Sequence, residues 1–426
     1  MTIGELCRSA AHFGGTLAAF ALLGACSGQP AEIAPPDPLR SPPARDAIVQ
    51  SPALSPGAQT SQPSTFVKGE ARVLRGEKAQ ALLHPIRKLR AAYSYDESGQ
   101  RVDYNLETDL IVSPEGVART PGSAVPDFST YAYAPGGPCE YSVLSADCAR
   151  ALRRCPLGGE RCATEHNGTP TFWFRSEPRN PALNLNHVTY FDYEAAIAPG
   201  TIPARGVRDD IGSIVCLGDS LGTGAHTVAA FYQRQGVEPD SQSWCGLLRA
   251  ALAPEITVEN ASIAGGNIGD IARAYDGRET IEPGVVIIAA GMNDHVAGPE
   301  RLAAFETQLR NLAQSAISDG ARVVFVGFFA QNPLWVEEIP SDTRVYNEKI
   351  ADVARTMDAP FVDMAAAFEQ AVPTHEPYYH LTGDYMHHPN NYGQRIYFSL
   401  ILPYLLGEPL PADAFAPYVQ GPWSEE

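Results

Sequence analysis

Five short apolar runs alternate with helical stretches through the C-terminal half of this chain, and that alternation limits the available folds more than any other feature. The runs extend from Ser213 to Leu217, Ile256 to Glu259, Val285 to Ala290, Arg322 to Phe328 and Pro360 to Val362. Between them lie helical patterns, including Arg301 to Asp319 and Arg344 to Met357, and a last one runs from Tyr392 to Leu406. Such alternation, sustained over about 200 residues, predicts an α/β fold with a parallel sheet covered by helices on both faces. Sheets of this kind bind ligands at the carboxyl ends of their strands.

Upstream the pattern changes. Val102, Tyr104, Leu106, Thr108 and Leu110 alternate with Asp103, Asn105, Glu107 and Asp109, the period of two expected of one half-buried strand. Thr171 to Phe174 and Val188 to Phe191 are further strand candidates, which predicts a small β-rich domain over residues 66–205, ahead of an α/β domain over 206–426. Cys139, Cys148, Cys155 and Cys162 have eight, six and six residues between them. No pair has the short Cys-x-x-Cys bite common in zinc sites, so two local disulfides are expected there. Cys216 and Cys245 stand as either a third bridge or two buried thiols. The aromatic residues of this region are read as core, with glycan contact as the alternative.

Residues 27–65 hold nine prolines and no aromatic residue. They carry too little apolar area to offset the entropy of ordering, so residues 26–65 are expected to act as a tether. Before them, Arg8, the apolar stretch from Leu17 to Leu23 and the tetrapeptide Leu23-Gly24-Ala25-Cys26 form an export signal over residues 1–25, too short to span a bilayer. The tetrapeptide resembles the lipobox of bacterial lipoproteins. That resemblance implies cleavage before Cys26 and its acylation, with ~0.8 kcal/mol of membrane affinity per buried methylene. Ser27 after the cysteine implies the outer membrane of a Gram-negative envelope, facing the periplasm or the exterior. A formal charge of −18 with no Lys/Arg cluster argues against nucleic acid as a partner.

Gly218-Asp219-Ser220-Leu221 follows the first apolar run, Asn260-Ala261-Ser262-Ile263-Ala264-Gly265 the second, Gly291-Met292-Asn293-Asp294 the third, and Asp384-Tyr385-Met386-His387-His388-Pro389-Asn390 precedes the last helical stretch. Read in order, these four blocks over about residues 210–407 resemble the SGNH or GDSL hydrolase family. The resemblance implies a three-layer fold with Ser220 as nucleophile. It implies an oxyanion hole made by the Ser220 N–H, the Gly265 N–H and the Asn293 amide, with neighbouring Gly266 one residue away from the same register. Asp384 would orient the histidine. The family's Asp-x-x-His spacing selects His387, whereas its habit of following the histidine with Pro, and with Gly five residues on, selects His388 through Pro389 and Gly393. The downstream segment leads directly into the last helix and favours His388.

The chemistry requires these residue types. A serine hydroxyl attacks an ester only when a base accepts its proton, and the tetrahedral intermediate needs donors already aimed at its oxyanion. Three competing readings carry less weight. Gly218 to Gly222 also satisfies the Gly-x-Ser-x-Gly elbow of α/β-hydrolases, but here the serine follows the first strand of its domain. His380, Asp384, His387 and His388 would cluster as metal ligands only on a helix that Gly383 and Pro389 break, so no metal is expected. His226 and His295 are read as surface or loop histidines, while Tyr346, Trp335 and Tyr385 are candidates for either a substrate pocket or packing.

The expected protein is therefore an exported serine esterase working without a cofactor through an acyl-enzyme, with O-acetyl groups on a carbohydrate as its substrate. A lipase or lysophospholipase and an O-acetyltransferase are the enzymatic alternatives. A non-catalytic glycan-binding envelope lipoprotein is the alternative of another class.

Overall fold

The computed structural model describes residues 65–96, 98–130, 164–166, 169–171, 187–197, 201–202, 204–205, 211–232, 237–252, 254, 256–278, 284–332, 343–372, 376–384, 387–407 and 410–411. Cys26, the cluster from Cys139 to Cys162, Trp335 and Tyr385 lie outside the described residues. Residues 59–426 make up one compact unit.

At its centre is a five-stranded parallel sheet in the spatial order Thr257–Asn260, Ser213–Gly218, Val285–Ala289, Arg322–Val326 and Phe361–Val362. Ser213–Gly218 and Val285–Ala289 are buried at every position. Continuous apolar character without alternation is what a strand covered on both faces requires. The covering helices supply matching stripes. In Leu302–Ser318 the buried residues are Phe305, Leu309, Leu312, Ala313 and Ala316, which recur at helical spacing.

A four-stranded antiparallel sheet packs beside this core, in the order Thr65–Arg72, Thr189–Ala195, Ile86–Tyr95 and Arg101–Asp103. Its two faces bury different partners. Ala71, Val73, Tyr93, Val188 and Tyr190 join the same hydrophobic cluster as Tyr392, Tyr397 and the parallel strands. Val67, Ala92, Phe191 and Tyr193 face a second cluster with Leu74, Leu82, Leu110 and Val117. Polar contacts tie the sheet to the α/β half at the same place. Arg72, in a buried ion pair with Glu70, donates to the Ala371 carbonyl at 2.9 Å, and the Val73 N–H donates to His380 Nδ1 at 3.0 Å. Gly69, at φ +65°, makes a bulge whose bare Cα admits Arg395 of the last helix, and Arg395 donates to the Lys68 carbonyl.

One expectation needs correction. The alternating run from Val102 to Leu110 is not one strand: Arg101–Asp103 and Leu110–Ser113 are separate, and a turn joins them. Asn105 explains the break, because its side-chain oxygen accepts the Glu107 and Thr108 N–H groups and substitutes for ladder bonds. The strand Ile86–Tyr95 lies outside the expected strands: its first half is exposed or half-buried, and Ala92, Tyr93 and Ser94 are buried in succession, so it lacks the alternation that marks a strand in sequence. Cys216 and Cys245 form a disulfide across 29 residues. Among the described residues no helix is long and apolar enough to cross a membrane.

Candidate functional site

Ser220 opens the four-residue helix Ser220–Thr223 at the carboxyl end of Ser213–Gly218. Asp219 caps this turn, its Oδ1 accepting the Leu221 N–H at 2.9 Å. Gly222 brings the turn against the second block, since a Cβ there would sit 2.2 Å from Ser262 Oγ. Asn260 closes the same seam by donating to the Gly222 carbonyl at 3.1 Å and to Asp240 at 3.2 Å. Gly224, at φ +72°, then ends the turn and returns its N–H to the Ser220 carbonyl.

The Asp384–His388 loop is shaped independently. Thr382 and Pro389 form a β-bridge, and the Gly383 N–H donates to the His388 carbonyl at 2.8 Å. Asn390 finishes the loop in two directions. Its side-chain amide donates to the His380 carbonyl at 2.9 Å, and its Oδ1 caps the helix Asn391–Ile401 through the Tyr392 and Gly393 N–H groups. Gln394, one turn on, donates to the Leu221 carbonyl and accepts the Trp244 N–H, both at 2.9 Å. The last helix is thereby held to the serine turn.

These two pieces bring Ser220, His388 and Asp384 into one hydrogen-bonded chain. His388 Nε2 lies 2.9 Å from Ser220 Oγ, and His388 Nδ1 lies 2.5 Å from Asp384 Oδ2. Asp384 Oδ1 accepts the backbone N–H groups of His387 and His388 at 3.1 Å. Burial by itself would raise the Asp384 carboxyl, but His388, through its charge and hydrogen bond, with His226 and His387, holds it well below the usual range. An ionised Asp384 accepts only, which places the imidazole proton on Nδ1 and leaves Nε2 as acceptor for the serine proton.

The remaining candidates separate. The His387 ring lies 4.1 Å, centroid to centroid, from that of His388, and burial followed by the His388 charge pushes its pKa well down. It is His388, not His387, that stands between carboxylate and hydroxyl. Gly265 adopts φ +74°, while the Gly266 N–H is already donated to the Ile263 carbonyl at 2.9 Å. Asn293 donates to the Gly266 carbonyl at 3.0 Å, which places its amide on the loop of the second block. Asp294 accepts the Ile268 N–H at 3.1 Å, and burial pushes its carboxyl up to about 6. Beside the serine, burial pushes Asp219 up to about 7.

Two histidines differ from expectation. His226 and His295 are buried, not on the surface. The His226 ring stacks on His388 with centroids 4.4 Å apart and planes 21° apart. No sequence signal marks that contact, because it depends on the chain reversal at Gly224. Tyr346 is packing: it is 1% exposed and its hydroxyl donates to the Gly298 carbonyl at 2.8 Å. His380 is likewise structural, as the acceptor of the Val73 N–H. His226, Asp384 and His388 each place a ligand-type atom within 4.8 Å of the others. A cation there would have to displace the Asp384–His388 and His388–Ser220 bonds, so this donor set suits a proton relay better.

A nucleophile-type hydroxyl, an oriented imidazole and two loops rich in donors define a site for acyl transfer. Residues 216–396 match the GDSL-like Lipase/Acylhydrolase family. The chain aligns with a psychrotrophic esterase, EstA from Pseudoalteromonas sp., at 21% identity and a TM-score of 0.33, covering 45% of this chain and 96% of that one. An acetyl xylan esterase, AlAXEase, aligns at 19% identity and a TM-score of 0.36, covering 46% of this chain and 100% of that one. Phospholipase A1 from Streptomyces albidoflavus NA297 aligns at 16% identity and a TM-score of 0.34, covering 46% of this chain and 99% of that one. No curated protein matches the chain.

Proposed function

We propose that this protein is an exported serine esterase that removes O-acetyl groups from a carbohydrate of the cell envelope or its surroundings, held at a membrane surface through acylated Cys26. The observation that carries the catalytic part is the chain from Ser220 Oγ through His388 to Asp384. Ser220 Oγ attacks the ester carbonyl carbon while His388 Nε2 takes its proton, and Asp384 stabilises the imidazolium. The tetrahedral oxyanion is received by the Ser220 N–H, the Gly265 N–H and the Asn293 amide, the last held on the second-block loop by its bond to Gly266. The alkoxide leaves with the proton from His388. A water then attacks the acyl-enzyme, giving its proton to His388 and releasing the carboxylic acid as Ser220 regains its own.

The signal-like N-terminus with its lipobox-like tetrapeptide supports an envelope location, and that location supports a glycan ester as substrate. The test is hydrolysis of p-nitrophenyl acetate and octanoate by the full chain, followed by acetate release from an acetylated polysaccharide and fatty-acid release from a lysophospholipid. Ser220-dependent turnover with acetate preferred supports the reading. Preference for octanoate and lysophospholipid moves the substrate to lipid, and absence of any Ser220-dependent turnover in folded protein removes the esterase.

A further inference from the structure

The helical turn that presents Ser220 also delivers a histidine that the acyl-transfer steps above do not use. Gly224 in the left-handed region reverses the chain after Thr223, so that His226, six residues after the serine, returns over the site. The next stretch is pinned there by the Val228 N–H donating to Asn391 Oδ1 at 2.8 Å, on the same helix that Asn390 caps beside His388. The His226 ring then lies nearly parallel on His388 at 4.4 Å, while the His387 ring touches His388 at 4.1 Å. His226 is 7% exposed and also packs near Phe231, at 5.6 Å.

We propose that His226 is a positioning residue for the general base: its ring, stacked on His388, keeps the imidazole between Ser220 and Asp384 and excludes water from that bond. The proposal rests on the esterase reading above and assigns His226 no contact with substrate. An imidazole bonded at both nitrogens is fixed in its plane but can still tilt about the line between them, and a ring packed on its face removes that freedom. When His388 takes the serine proton, the same π face lies against the new cation. The groups facing this pair are Asp384, His387 and Asp219. Burial, then the charge of His388, holds His226 down to about 3, so it stays neutral while the base cycles. His226 and His387 are thus both held neutral beside the base.

The test replaces His226 by Ala and by Phe in the full chain, with thermal melts to verify folding. The readout is the rate at which a fluorophosphonate probe modifies Ser220 across pH, together with kcat and KM on a p-nitrophenyl ester. His226→Ala is expected to slow labelling and kcat about 10- to 100-fold with KM little changed. His226→Phe, which keeps the ring and removes the nitrogens, is expected to restore both to within about threefold of the parent. The acid limb of parent labelling is expected to follow a single proton. Labelling of His226→Ala at the parental rate would overturn the proposal, as would a Phe variant as slow as Ala or an acid limb needing two protons. If the parent itself is not labelled at Ser220, the esterase reading fails instead, and the two failures are told apart.

Discussion

His388 Nε2 lies 2.9 Å from Ser220 Oγ, although 168 residues separate the two in the chain. Neither residue reaches the other through its own element. The contact exists because Asn390 and Gln394 hold the last helix against the serine turn while the Thr382–Pro389 bridge folds the histidine back towards Asp384.

The clearest consequence concerns the adjacent histidines. His388→Ala is expected to lower kcat at least about 1000-fold, as is Ser220→Ala, whereas His387→Ala costs no more than about tenfold. Asp384→Asn should leave the fold intact yet lower kcat ~1000- to 10,000-fold, because the amide favours the wrong imidazole tautomer. Steady-state kinetics on a p-nitrophenyl ester decide this, and equal losses at His387 and His388 would contradict the geometry.

Acid should destabilise the protein before it protonates Asp384. His226 is held down to about 3 and His187 to about 4 by burial, and His380 and His387 lie well below their usual value for the same leading reason. Each gains a proton on unfolding between its folded pKa and ~6.5, so stability falls as pH falls through that window. Asp219 and Asp294, raised to about 7 and about 6, act in the opposite sense because the folded state holds their protons longer. Burial lowers His84 in the same direction, so among the described residues five imidazoles oppose two carboxyls and the unfolded chain binds more protons than the folded one. Stability should therefore fall as pH drops from about 6 to about 4.5. Below that, the depressed Asp384 adds a further loss as pH falls from ~3.9 towards its folded value. A melting temperature that rises on acidification through this range would refute the assignment.

The Cys216–Cys245 bridge closes a loop with a sequence separation of 29 and is buried at both ends. Replacing both cysteines by alanine should remove ~3–4 kcal/mol of unfolding free energy, mainly by freeing the unfolded chain. Urea titration of this double variant measures the loss, and a change below ~1 kcal/mol would mean that the bridge restrains little.

The antiparallel sheet should be inseparable from the catalytic half. Ala71, Val73, Tyr93 and Tyr190 share the hydrophobic cluster of the parallel sheet, and Val73 donates to His380, whose carbonyl receives Asn390 beside the catalytic loop. A chain beginning at residue 206 is expected to lack cooperative unfolding, which circular dichroism melts would reveal. A milder probe is Arg72→Met, which removes the counter-charge of the buried Glu70 carboxylate, leaves it the Leu83 N–H and Tyr193 hydroxyl as donors, and should cost about 3 kcal/mol. A cooperative, active fragment from residue 206 would show that the shared core is dispensable.

Much of this architecture was legible locally. The five parallel strands fall within a few residues of the apolar runs, because a strand buried on both faces must be apolar throughout and short enough to cross the sheet once. The Val102–Leu110 alternation misled because apolar periodicity carries no information about Asn105, whose side chain supplies turn hydrogen bonds at lower cost than a ladder. Asn390 before the last helix was readable as a cap, though its grip on the His380 carbonyl was not.

The sequence by itself determined the class of fold and placed Ser220, Gly265, Asn293 and Asp384 at the carboxyl ends of strands or on the loop before the last helix, since strand periodicity and short motifs are local properties. Only the tertiary structure decided that His388 rather than His387 meets Ser220, that His226 stacks on it, and that one face of the antiparallel sheet belongs to the catalytic core. Each of those outcomes depends on side chains far apart in sequence sharing one buried volume. Packing is set by the loops and helices converging there, and no local pattern in the sequence records it.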